Sequence, residues 1–77
     1  MEIVKLKDSY IKLGQALKAA GLADSGITAK IAINEGLVKV NGQVETQRGK
    51  KLVDGDIIDY NGEQIKIQGI GLPERPE

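Results

Sequence analysis

Residues 13–44 read LGQALKAAGLADSGITAKIAINEGLVKVNGQV, and the reading of this stretch decides the fold. Leu13, Ala16, Leu17 and Ala20 recur at i, i+3, i+4 and i+7, which puts them on one face of a helix. Lys12, Gln15, Lys18 and Ala19 fall off that apolar stripe. Gly21 suits the left-handed position that ends a helix, with Leu22 folding back onto the last turn. Asp24-Ser25 offers cap oxygens for a second helix, whose stripe is Ala29, Ala32 and Ile33 and whose stop signal is Gly36. The short connection forces the helices into a tight pair, and Ala16, Ala20, Ala29 and Ala32 are small enough for the backbones to approach. From Leu37 the period changes to two, so Val38 and Val40 point inward while Lys39 and Asn41 do not. Asn41-Gly42 then fits a type I′ hairpin turn, whose two central positions need positive φ, and Val44 returns on the partner strand.

Working outward, residues 2–7 roughly alternate apolar and polar, which predicts a short strand, and Asp8-Ser9 offers an N-cap for the first helix. Residues 46–51 are polar and basic and read as an exposed loop. Val53-Asp54-Gly55-Asp56 reads as a tight turn feeding a strand over 57–60. Asn61-Gly62 supplies a second hairpin, with Ile65 and Ile67 on its return strand. The last residues, 69–77, hold two glycines and two prolines without periodicity, so a loose tail is expected there. The fold class is α+β: two packed short helices against a small, mainly antiparallel β-sheet with Asn-Gly hairpins. A single domain spans 1–68.

With 77 residues and 8.3 kDa there is room for one domain, and 40% hydrophobic with 29% charged residues is the balance of a globular fold. Cys is absent, which removes disulfides, thiolate nucleophiles and zinc knuckles; His is absent too, which removes the usual general base and the commonest metal ligand. No enzyme, cofactor or metal site is expected. Asp54, Asp56, Asp59 and Glu63 have no second ligand cluster beside them and read as a negative face that repels a polyanion and so orients docking. No apolar run approaches the ~20 residues of a membrane span, and residues 1–5 lack a basic segment leading into an apolar one. The expectation is a cytoplasmic monomer with no membrane partner.

Zero net charge conceals an asymmetry. Between residues 5 and 51 there are nine basic side chains against four acidic ones; from 52 onward there are two against six. On charge alone this is either a surface for a polyanion or a scatter of solubilising lysines.

The ordered set Leu13…Leu17…Gly21-Leu22…Ser25…Ala29…Ile33…Gly36-x-Val38-x-Val40-Asn41-Gly42-x-Val44, continued by Gly55-Asp56-x-Ile58, resembles the S-four RNA-binding domain, or αL motif. With nothing else attached, the chain is similar to the short stand-alone bacterial members of the YbcJ/YaaA type. The resemblance implies an RNA-binding module with no catalysis of its own, in which RNA lies across the helix pair and the adjoining loop. By position it implies contacts from Lys12 just before Leu13, Lys30 after Ala29, the hairpin residue Asn41, and the basic loop residues Arg48, Lys50 and Lys51. Gln15, Lys18 and Lys39, off the apolar faces, complete the expected RNA-binding set. Two positions differ from the common pattern: Gly26 stands where many members have Arg, and Gly14 where Asp is common. The only aromatics are Tyr10 and Tyr60, both expected to pack, so recognition by shape, phosphate and 2′-hydroxyl is favoured over base stacking. The expected partner is structured RNA: ribosomal RNA, a ribosomal particle or tRNA. The alternative from another class is a protein-interaction module that uses the same basic surface for an acidic partner.

Overall fold

The computed structural model describes residues 2–69. Along the chain run strand β1 (Glu2–Lys5), strand β2 (Ile11–Lys12), helix α1 (Leu13–Ala19), helix α2 (Gly26–Asn34), and strands β3 (Val38–Val40), β4 (Gln43–Val44), β5 (Lys51–Leu52), β6 (Ile57–Tyr60) and β7 (Glu63–Gln68). Five strands form one sheet in the order β1-β7-β6-β3-β4, while β2 and β5 make a separate two-stranded ladder. All pairings are antiparallel except β1 with β7, where Val4 lies beside Ile67.

Both helices end as their glycines predict. Gly21 and Gly36 have φ of 78° and 77°. The next residue in each case bonds back into the last turn, Leu22 N–H to the Leu17 carbonyl at 3.0 Å and Leu37 N–H to the Ala32 carbonyl at 3.1 Å. This pattern satisfies carbonyls that a helix C-terminus otherwise leaves without partners. Ser25 caps α2, its Oγ accepting from the Thr28 N–H at 3.3 Å. Between β3 and β4, Asn41 and Gly42 both take positive φ (53° and 87°), and Asn61 and Gly62 do the same between β6 and β7 (55° and 81°).

The core lies between the helix pair and one face of the sheet. Leu13, Ala16 and Leu17 come from α1, Ala29, Ala32 and Ile33 from α2, and Val38, Ile58, Ile65 and Ile67 from the sheet. The alanines at 16, 29 and 32 bring α1 against α2. Each fully buried Leu or Ile contributes roughly 1.5–3 kcal/mol, and no polar or charged side chain is buried among the described residues.

Two local expectations need correction. Asp8-Ser9 does not cap α1: the helix starts at Leu13, and its cap position is Lys12, with no side-chain bond. The reason is the β2–β5 ladder, which holds Ile11 against Leu52 and Lys12 against Lys51. The first helical N–H groups are then taken by backbone carbonyls, Leu13 to Lys50 at 2.9 Å and Gly14 to Arg48 at 3.0 Å. For the same reason Lys51 belongs to a strand instead of the loop, with Leu52 fully buried beside it. The expected loose tail, 69–77, lies outside the described residues apart from Gly69, whose N–H donates to Asp54 Oδ1 at 2.7 Å.

Candidate nucleic-acid interface

The 47–50 turn is what organises the basic surface. It is closed by the Lys50 N–H on the Gln47 carbonyl at 3.1 Å, and Gln47 N–H reaches Glu45 Oε2 at 3.2 Å. Because the carbonyls of Arg48 and Lys50 hold the start of α1, the loop is anchored by its main chain and its basic side chains stay exposed. The anchoring carries Arg48 to the helix pair across more than thirty residues of sequence.

The result is an open cleft of about 360 Å³ lined by Lys12, Gln15, Lys18 and Arg48, with glycines 14, 26 and 49 between them. Both positions that differ from the common family pattern therefore lie here. A Cβ on Gly14 would rest at 3.6 Å from the Arg48 Cβ, whereas one on Gly26 would meet nothing within 4 Å. The glycines leave the cleft room between its cationic arms.

A second feature concentrates the charge. The β2–β5 register sets Lys12 directly opposite Lys51. Like charges facing each other across a ladder are destabilising. Lys51 turns over the ring of Tyr10, its Nζ 4.9 Å from the centroid. That is within range of a cation–π contact. Tyr10, expected to pack at the helix entry, is 38% exposed. Tyr60, by contrast, is half-buried against the core.

Tyr10 belongs to a second cleft, of about 300 Å³, whose lining includes Ile11, Ala19, Lys5, Lys7 and Asp8, together with Gln15, which also lines the first cleft. Tyr10, Lys5 and Lys7 are absent from the set expected from the sequence. The local signal is weak: a tyrosine bracketed by Lys7 and Lys12, with Asp8 between them.

The other expected contacts fall elsewhere. Lys30 is exposed on α2 and lines neither cleft. Lys39 stands opposite Asp59 in the β3–β6 register and lines a separate hollow with Asp59 and Tyr60. Asn41 is engaged on all sides: its Nδ2 donates to Asp56 Oδ1 at 3.0 Å, its Oδ1 accepts from the Ile57 N–H at 2.9 Å, and its own N–H donates to the Ile57 carbonyl at 2.8 Å. Asp56 Oδ2 also accepts from the Val53 N–H at 2.8 Å. The carboxylates of Asp54 and Asp56 are thus structural braces. Glu2, Asp59 and Glu63 line a separate acidic hollow. Among the described residues no group of three potential ligands could hold a metal ion, and no helix is long and apolar enough to cross a membrane.

Comparison with known proteins places this geometry. The family model described as an S4 domain matches residues 4–68. YbcJ of Escherichia coli (strain K12) is 41% identical over 61 residues, covering 79% of this chain and 87% of that protein. The "Probable ribosome maturation protein RlbA" of Bacillus subtilis (strain 168) is 37% identical over 59 residues, 77% of this chain and 83% of that protein. The solution structure of Escherichia coli YbcJ, described as revealing an αL motif involved in RNA binding, matches with a TM-score of 0.69 at 39% identity. That match covers 88% of this chain and 87% of the other.

Proposed function

The chain belongs to the S4 domain family, and from that premise we propose that it is a non-enzymatic RNA-binding protein that docks its α1–loop surface onto structured RNA. The observation that carries the reading is the convergence of Lys12, Gln15, Lys18 and Arg48 on one cleft from two distant segments of chain. A scatter of solubilising lysines has no reason to be gathered by backbone hydrogen bonds, nor to keep Lys12 opposed to Lys51. The RNA-binding description of the αL motif in YbcJ supports the ligand class, and the ribosome-maturation name of RlbA supports ribosomal RNA or a ribosomal particle as the target, ahead of tRNA.

The mechanism is electrostatic capture followed by docking. Lys12, Lys18, Arg48, Lys50 and Lys51 neutralise phosphates and release condensed counterions, so affinity falls steeply with salt. The acidic hollow of Glu2, Asp59 and Glu63 disfavours approach from that side and sets the orientation. Asn41 acts through the turn it braces, and Lys30 and Lys39 contribute only long-range attraction. The absence of Cys and His from the whole chain fits a protein that binds without catalysing. The protein acts as a monomer in the cytoplasm, where ribosomal particles mature.

Fluorescence-anisotropy titration against fragmented ribosomal RNA at three salt concentrations tests this, with duplex DNA and poly-U as competitors. About three to five phosphates engaged give a log–log salt slope near −3 to −4, and structured RNA outcompetes both controls. Equal, weak binding of RNA and DNA at physiological salt would reduce the surface to a generic polyanion patch and favour an acidic protein partner.

A further inference from the structure

Two clefts of different chemistry meet at one side chain. The first is cationic and rich in glycine, with Lys12, Lys18 and Arg48 around it; the second sets Tyr10, Ile11 and Ala19 among the charged Lys5, Lys7 and Asp8; Gln15 belongs to both. A regular RNA duplex needs only the first kind of surface, because its bases are stacked inside and its phosphates and 2′-hydroxyls are outside. Against such a duplex an exposed tyrosine in an adjoining cleft can use only its hydroxyl, on phosphate or sugar, and the face of its ring finds no base. It acquires a partner once a base leaves the stack, since every nucleobase has a face that stacks on an aromatic ring.

We propose that the Tyr10 cleft receives the base of a single unpaired nucleotide in the target RNA, while the phosphates flanking that nucleotide sit in the Lys12–Lys18–Arg48 cleft. This rests on the RNA-binding reading and sharpens it, from structured RNA in general to a duplex carrying a bulged or junction nucleotide. The size fits: about 300 Å³ lies at the lower end of small-ligand sites, enough for a base without the rest of a helix. The electrostatics fit too. Lys51 lies over one face of the ring, 4.9 Å from its centroid, so the base stacks on the opposite face. Lys5 and Lys7 offset Asp8 in the same cleft, so the site stays positive towards the backbone of the extruded nucleotide. Gln15, with one amide donor group and one acceptor, is placed between the two clefts to meet the base edge.

The test uses two RNA hairpins that differ only by one unpaired nucleotide in the stem, titrated with the full chain at physiological salt. The bulged hairpin binds about tenfold more tightly than the paired one, within the range that stacking one base supplies. Tyr10→Ala brings the two hairpins within about twofold of each other, and Tyr10→Phe keeps the preference, because the face of the ring and not its hydroxyl makes the contact. Unchanged affinity of Tyr10→Ala for the paired hairpin verifies that the variant is folded. Equal affinity of the native protein for both hairpins, or a preference that survives in Tyr10→Ala, overturns the proposal and leaves RNA binding standing. Failure to bind either hairpin in a salt-dependent way overturns both readings.

Discussion

Two short turns, residues 47–50 and 53–56, carry opposite charge and use it in opposite ways. In the first, the main chain does the structural work: the Arg48 and Lys50 carbonyls hold the N–H groups of Gly14 and Leu13, and the cationic ends project freely. In the second, the side chains do it: Asp56 accepts from Asn41 and Val53, and Asp54 accepts from Gly69. A charged residue is available to a partner when the backbone around it is already satisfied, and unavailable when it supplies that satisfaction. Only two residues separate the turns, and one of them, Leu52, is fully buried.

The comparison is open to attack from both sides. The largest effect is expected from Arg48→Ala, Lys50→Ala and Lys51→Ala combined, which lowers RNA affinity on the order of a hundredfold at physiological salt through lost counterion release. The melting temperature moves little, because none of the hydrogen bonds that hold the loop uses the side chain of Arg48, Lys50 or Lys51. A large drop in melting temperature would erase the distinction between the turns. Next comes Asp56→Ala, which strands the Asn41 amide and the Val53 N–H and costs about 1–2 kcal/mol of stability in urea denaturation. Its affinity for RNA, measured below the unfolding transition, stays at the native value. Asp54→Ala loses one bond, to the Gly69 N–H, and costs about 1 kcal/mol. Smallest is Lys50→Ala alone, which reduces the salt slope by about one unit without altering the denaturation midpoint.

Much of this was readable in the sequence because it is encoded locally. The Leu13–Ala20 and Ala29–Ile33 stripes, the glycines at 21 and 36, Ser25 as a cap, and the inward valines at 38 and 40 each depend on residues within a few positions of one another. The pieces that escaped are those made by distant segments. A two-residue ladder such as β2–β5 has no periodicity to detect, so nothing in Ile11-Lys12 announces pairing with Lys51-Leu52. Without that contact the α1 cap falls to Asp8-Ser9 and Tyr10 reads as packing at the helix entry. The same limit shaped the candidate site. Lys12, Lys18 and Arg48 were identifiable by residue type and position, but their convergence depends on the Gly14–Arg48 and Leu13–Lys50 hydrogen bonds. Asn41 was identifiable as a turn residue, while the cross-chain bonds that occupy its amide were not.

The most direct measurement is a titration of the ¹⁵N-labelled chain with a structured ribosomal RNA fragment, followed amide by amide in ¹H–¹⁵N spectra. Perturbations are expected to concentrate at residues 10–18, 26 and 47–51, with 53–56 and 61–64 unmoved. Shifts centred on the acidic turn and the second hairpin, or spread evenly over the surface, would contradict the division of labour between the two turns.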